Sequence, residues 1–214
     1  MKSSVIFSHG FEGKPTGSKP QYISDLGYSV NSLDLYQRGI SLASMVEIIS
    51  EAMRENPEAI IVGSSMGGLA SALAVNASSQ PRKVLLLAPA FECADLFKQK
   101  AGDRFTEWAQ RGSIPYFHQG FDREIELSFE FYQEVDKLSR DFCFSGGHHI
   151  KIIHGLRDES IDYMASERVV TLSKQSPTPP SISLHLVEAE HRLGEPDARA
   201  ALTQGLLELD ATVL

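Results

Sequence analysis

The feature that most constrains what this chain can fold into is a rhythm. Short apolar runs at 5–7, 28–35, 59–62 and 83–87 alternate with segments whose apolar residues recur at helical intervals. The segment 42–54 shows this best, with Leu42, Met45, Ile48, Ile49 and Met53 on one face. Helices are also expected at 19–26, which Gly27 would stop in a left-handed turn, and at 66–76, rich in Ala and Gly. Ser18 with Gln21 has the spacing of a capping box and is read as the start of the first helix, and Ser44 with Glu47 repeats that spacing inside the segment 42–54. Strands that alternate with helices specify a parallel sheet covered on both faces, because each crossover must return to the same edge of the strands.

The rhythm stops after Pro89 and resumes with a strand at 150–153, a helix at 162–174, a strand at 182–187 and a helix opening at Pro196. Six strands are counted. The interruption, 91–147, is too long for a plain connection and carries most of the aromatic side chains, among them Trp108, Phe117, Phe129, Phe131 and Tyr132. Residues 113–117 and 124–128 alternate as a hairpin would, and Phe131, Val135 and Leu138 suit a helix after it. The plainer reading is a helical patch that extends the core. The expected organisation is one domain, 1–214, with a lid or cap inserted at about 91–147.

Composition removes several function classes. With 20 basic and 28 acidic residues the net charge is −8, which opposes nucleic acid and acidic membrane surfaces, since affinity for a polyanion comes from neutralising its phosphates. Cys93 and Cys143 have neither metal-ligand nor redox spacing and read as buried reduced thiols. The opening MKSSVIFSHG has too short an apolar run for a signal peptide or membrane helix, so a cytoplasmic location and no membrane span are expected. His148 and His149 are adjacent on a strand entry, where neighbours point to opposite sides, so metal ligation is not expected.

The stretch GSSMGG, 63–68, falls directly between the run at 59–62 and the helix at 66–76. That is the strand, turn, helix setting of a nucleophile elbow, where the residues two before and two after the nucleophile are crowded against backbone. Centring the pattern on Ser65 places Gly63 and Gly67 at those positions; centring it on Ser64 places Val62 and Met66 there. Ser65 is therefore the candidate, against the plain alternative of a small-residue turn. A serine nucleophile needs a histidine base and an acid that orients it. His191, in EAEHRL, and Asp158, in HGLRDES, both follow strands on the sheet edge where Ser65 emerges. His9 reads as a structural histidine, Glu12 and Lys14 as solvated loop charges, and His154 as the end of a strand.

The order Ser65, Asp158, His191, with HGF at 9–11, GSSMG at 63–67, HGLRD at 154–158 and EAEH at 188–191, resembles the α/β-hydrolases. It is most similar to small bacterial YqiA-like esterases and, more distantly, to ABHD10-type acyl-protein thioesterases. The resemblance implies a minimal α/β-hydrolase fold lacking the first two antiparallel strands, with an all-parallel sheet of six. It also implies an oxyanion hole made by the backbone N–H groups of Phe11 and Met66. Two positions depart from the common pattern, Asp162 where a proline is frequent and Glu190 where an aspartate is frequent, so Glu159, Asp162 and Glu190 stand beside Asp158 as carboxylates that could orient His191.

The expected activity is a serine esterase cleaving carboxylic esters of small to medium acyl chains through an acyl-enzyme. The alternatives are a thioesterase acting on S-acyl protein or acyl-coenzyme A, a carbon–carbon bond hydrolase, or a non-catalytic ligand-binding protein of the same fold. The expected partner is a small-molecule ester or thioester, with no cofactor and no metal, in a monomer or homodimer.

Overall fold

The computed structural model describes residues 2–213. In chain order it contains β1 (Ser4–Ser8), α1 (Ser18–Asp25), β2 (Ser29–Leu33), α2 (Leu42–Glu55), β3 (Ile60–Ser64), α3 (Met66–Asn76) and β4 (Lys83–Leu87). An excursion follows, made of α4 (Ala94–Ala101), α5 (Phe105–Arg111), the strands β5 (Ser113–His118) and β6 (Arg123–Ser128), and α6 (Phe129–Ser139). The alternation then returns with β7 (His149–Gly155), α7 (Tyr163–Lys174), β8 (Ser181–Val187) and α8 (Pro196–Asp210).

The main sheet has six strands in the order β2-β1-β3-β4-β7-β8, and every pairing in it is parallel. The central strands are buried on both faces, so their side chains divide by the two-residue period of a strand. Ile6, Ile61, Val84 and Leu86 face a core shared with α2, α3 and α7. Val5, Phe7, Ile60, Val62, Leu85 and Leu87 face a second core closed by α1 and α8.

The excursion contains the expected hairpin, β5 against β6 in antiparallel register from Ser113↔Ser128 to His118↔Arg123. It also extends the core, as the plainer reading had it: Trp108, Ile114, Leu127 and Phe131 belong to the same apolar cluster as α2 and α3. Trp108 is the largest fully buried side chain, and its indole N–H donates to Leu127 O at 2.9 Å, so the ring is buried without an unpaired donor.

α2 starts at Leu42 as its apolar spacing predicts, but neither capping-box spacing forms the cap. α1 begins one residue early, with extended Gly17 at its N-cap and no side-chain cap. Pro20 falls in the first turn, where its missing N–H costs nothing, and Gln21 turns forward to Asp25 at 2.8 Å. α2 is capped by Ser41, whose Oγ accepts from Ser44 N at 3.2 Å, so Ser44 lies inside the first turn. Its first N–H, on Leu42, goes to the Glu134 carboxylate of α6 at 2.7 Å, an anion placed where the helix dipole favours one. Gly27, by contrast, ends α1 with φ +89°, a left-handed position that glycine adopts without steric cost.

Candidate active site

Ser65 stands between the last residue of β3 and the first of α3 with φ 53° and ψ −119°, a conformation that costs a residue with Cβ about 1–3 kcal/mol. The surroundings impose it. Its N–H donates to Leu87 O at 2.9 Å, and its carbonyl accepts from Ala90 N at 3.0 Å and Leu69 N at 3.1 Å, so β3, α3 and the end of β4 all hold the turn. The flanking glycines are steric requirements. A Cβ on Gly63 would lie 2.7 Å from Gly67 O and 2.8 Å from Gly68 Cα, and one on Gly67 would lie 2.3 Å from His9 O and 2.4 Å from Ser8 O. The turn can therefore sink against the end of β1 only because both positions lack side chains; both serines border the cleft, Ser64 buried and Ser65 half-buried.

The structure brings Ser65, His191 and Asp158 together from three strand ends. His191 Nε2 lies 3.0 Å from Ser65 Oγ, and His191 Nδ1 lies 2.6 Å from Asp158 Oδ2. Gly155 makes the meeting of the two later loops possible, since a Cβ there would come within 2.2 Å of Ala189 O, just ahead of His191. The Asp158 side chain is fully buried. Burial alone would push its carboxyl up, but hydrogen bonds from His154, His191 and the Ile161 amide more than offset this and hold it well below the usual carboxylate range. The competing carboxylates are placed elsewhere. Asp162 caps α7 by accepting from Met164 N at 2.9 Å, while Glu159 and Glu190 are exposed.

His154 has a place that its position at a strand end did not disclose. Its ring is fully buried behind Asp158, with Nε2 at 3.1 Å from both Asp158 Oδ2 and Ile161 O, and Nδ1 at 2.8 Å from Ser166 Oγ. Two acceptors at Nε2 require the hydrogen there, and Nδ1 shares a hydrogen bond with the Ser166 hydroxyl. Asp158 Oδ2 thus receives two imidazole N–H groups, and Oδ1 receives the amides of Ser160 at 2.9 Å and Ile161 at 2.8 Å. The i, i+4 spacing of His and Asp in HGLRD was the one sequence signal for this contact.

The other wall of the site is the loop after β1. His9 is buried and braces it, donating from Nδ1 to Gly10 O at 2.9 Å and accepting from Leu35 N at Nε2. Burial pushes its pKa down, which keeps the ring neutral. Gly10 passes close to the serine, with a Cβ there 3.1 Å from Ser65 Cβ. Among the described residues no protein acceptor takes the N–H of Phe11 or of Met66.

Glu12 is not the solvated charge expected. Its carboxylate accepts from Tyr116 Oη and, at 2.7 Å, from the Gln119 amide, tying the loop to the hairpin of the excursion. The Phe11 ring is held from the same side, stacked on Phe131 at 5.3 Å and edge-on to Phe97 at 5.5 Å. Ser65 and His191 open into a cleft of about 780 Å³ between this loop and the excursion.

Burial pushes the Cys93 thiol up to about 12, so it stays protonated; Cys143 is half-buried and unbonded. Among the described residues no three His, Cys, Asp or Glu side chains are grouped to hold a metal ion, and no helix is long and apolar enough to cross a membrane.

Residues 4–175 match the model of the uncharacterised protein family UPF0227. No curated protein matches the chain by sequence. Among solved structures, a protein of Agrobacterium vitis S4 with a provisional hydrolase name superposes with a TM-score of 0.74 at 20% identity, covering 97% of this chain and 88% of that one. Mouse α/β-hydrolase domain-containing protein 10 gives 0.70 at 19% identity over 96% and 88% of the two chains. A monoacylglycerol lipase of Paleococcus ferrophilus gives 0.66 at 15% identity over 99% and 97%. At such identities the likeness establishes the fold, which is that of the α/β-hydrolases.

Proposed function

The chain belongs to the UPF0227 family, and we propose that it is a serine hydrolase cleaving carboxylic esters of small to medium acyl chains through an acyl-enzyme. The observation that carries this reading is the hydrogen-bonded series from Asp158 through His191 to Ser65, at 2.6 and 3.0 Å, ending on a strained turn that opens into the cleft. The lipase named among the structural neighbours adds support from the same fold.

In this reading Ser65 Oγ attacks the ester carbonyl while its proton passes to His191 Nε2. Asp158 holds Nδ1–H and stabilises the imidazolium. The carbonyl oxygen, now negative, lies against the unpaired N–H groups of Phe11 and Met66, the second at the N-terminus of α3 where the helix dipole also favours an anion. His191 returns the proton to the departing alkoxide, and a water then repeats the sequence to release the acid and free Ser65. The segment from α4 to α6 forms the lid over the acyl chain, with Leu96 and Phe97 on its underside.

A fluorophosphonate probe is expected to label Ser65 alone, mapped by mass spectrometry, and p-nitrophenyl butyrate turnover is expected to vanish in Ser65→Ala. Retained turnover in that variant removes the assignment. Matched oxoester and thioester substrates separate the esterase from a thioesterase.

A further inference from the structure

The cleft in front of Ser65 has two unlike walls. One is apolar, with Phe11 from the β1 loop, Ala90 after β4, and Leu96 and Phe97 from α4. The other is formed by the loop before α1, the first turn of α1 and the loop that carries His191, and it presents Lys14, Lys19 and Arg192; Lys100 stands at the end of α4. Four basic side chains therefore line one cleft of a chain whose net charge is −8. Among the described residues the single carboxylate in the lining is Glu12, and its two oxygens are already taken by Tyr116 and Gln119.

Lys19 is the most telling of the four. It is half-buried, and the charge acting on it is that of Arg192, another cation. Burial, with that repulsion second, pushes its ammonium down to about 8. The framework holds the two cations together: Tyr22 of α1 bonds Thr203 of α8 at 2.9 Å while Arg199 lies over the Tyr22 ring, docking α1 beside the helix that follows the His191 loop. Two cations with no ion-pair partner among the described residues, Lys19 half-buried and Arg192 exposed, attract an anion more strongly together than either would alone.

Position decides which part of a substrate meets them. His191 Nε2 must pass its proton to the leaving oxygen, so the leaving group lies on the His191 side of Ser65, and Arg192 is the next residue in the chain. The acyl chain then falls to the apolar wall. Resting on the reading of Ser65 as nucleophile, we propose that the substrate is an ester whose leaving group carries an anionic substituent, a carboxylate or a phosphate, held by Lys19 and Arg192.

The test uses three matched aryl butyrates whose rings bear a carboxymethyl, a phosphonomethyl or a neutral carbamoylmethyl group. For the wild-type chain, kcat/KM is expected to be at least about tenfold higher for the better anionic ester than for the neutral one, the ratio that about 1.4 kcal/mol of differential binding supplies. Whichever anion wins identifies the group as carboxylate or phosphate. Raising ionic strength from about 0.02 to 0.5 M should shrink the ratio, because screening acts on this term and not on the acyl contact. In Lys19→Met/Arg192→Met the ratio should fall toward one, and in Arg192→Glu it should fall further or invert. An anionic preference that survives in the double variant overturns the assignment to these residues. If neutral esters are cleaved and Ser65 labels while anionic esters gain nothing, the proposal falls and the esterase reading stands; if no ester is cleaved and Ser65 does not label, both fall.

Discussion

Replacing His154 by phenylalanine isolates what a second imidazole does to the carboxylate that meets His191. Phenylalanine fills nearly the same volume, so the change is chemical rather than a cavity. It removes the Nε2–H that Asp158 Oδ2 and Ile161 O share at 3.1 Å and leaves the buried Ser166 hydroxyl without its partner. A hydrogen bond to a charged group is worth about 1.5–3 kcal/mol and an orphaned buried hydroxyl costs about 1–3 kcal/mol, so the folded state should lose about 3–5 kcal/mol. Removing the orphan as well, in His154→Phe/Ser166→Ala, should recover about 1 kcal/mol or more of that loss.

The effect on catalysis has a definite sign. In the wild type, His154 draws on the same carboxylate oxygen that His191 uses, so the oxygen is a weaker partner for His191 than it would be alone. Without His154 the Asp158 carboxylate becomes more basic, and the His191 imidazolium is better stabilised. The acid limb of kcat/KM against pH should move upward by about 0.5–1 unit, each unit being about 1.4 kcal/mol. The plateau should drop by about tenfold as Asp158 loses one of the groups that orient it. His154→Gln, which keeps an N–H donor, should bring the acid limb back toward the wild type. A His154→Phe enzyme that is merely less stable, with limb and plateau unmoved, refutes the positioning role, and a limb displaced to lower pH refutes the electrostatic reasoning.

Three further outcomes follow from the same geometry. Gly67→Val places a Cβ 2.3 Å from His9 O, against backbone that cannot yield, and should cost about 3 kcal/mol or more in urea unfolding together with all Ser65 labelling; a variant that folds and labels normally contradicts the steric account of the turn. Glu12→Gln weakens the tie from the β1 loop to Tyr116 and Gln119, so about 1–2 kcal/mol of stability should be lost and amide exchange over 113–128 should quicken, whereas unchanged exchange there would mean that the tie does not hold the hairpin. Asp158→Asn tests the depressed carboxyl pKa. Because the folded value lies below the unfolded value of about 3.9, the carboxylate's stabilising contribution is complete above that pH and is lost as pH falls through the folded value. The stability gap between wild type and variant should therefore narrow on acidification below about pH 4, and a constant or widening gap rules the linkage out.

What could be read in the sequence is what local sterics and short periods dictate. The six strands, the hairpin at 113–128 and the place of Ser65 on the strained turn all follow from residues within a few positions of one another, and Gly63 and Gly67 do in the fold the steric task their spacing implied. The S-x-x-Q and S-x-x-E spacings form no caps for a local reason too: α1 starts one residue earlier with Pro20 in its first turn, and α2, which starts at the expected Leu42, is capped by Ser41 and Glu134. Contacts between distant segments left no trace of that kind. Glu12 meets Tyr116 across 104 positions and Leu42 meets Glu134 across 92, and a lone glutamate looks the same whether it is solvated or tied.

The choice among Asp158, Glu159, Asp162 and Glu190 lies between these two cases. Its long-range half, the approach of His191 across 33 positions, depends on where the strand ends fall. Its short-range half was available, since an aspartate followed two and three positions later by free amides can fold back on them, as Asp158 Oδ1 does with Ser160 and Ile161. That turn fixes Oδ1 and leaves Oδ2 to face the histidines, which a glutamate with one more rotatable bond would not do as firmly. Asking which carboxylate is immobilised by its own backbone removes Glu159 and Glu190 and leaves Asp158 with Asp162, which accepts from Met164 N; the approach of His191 then separates these two.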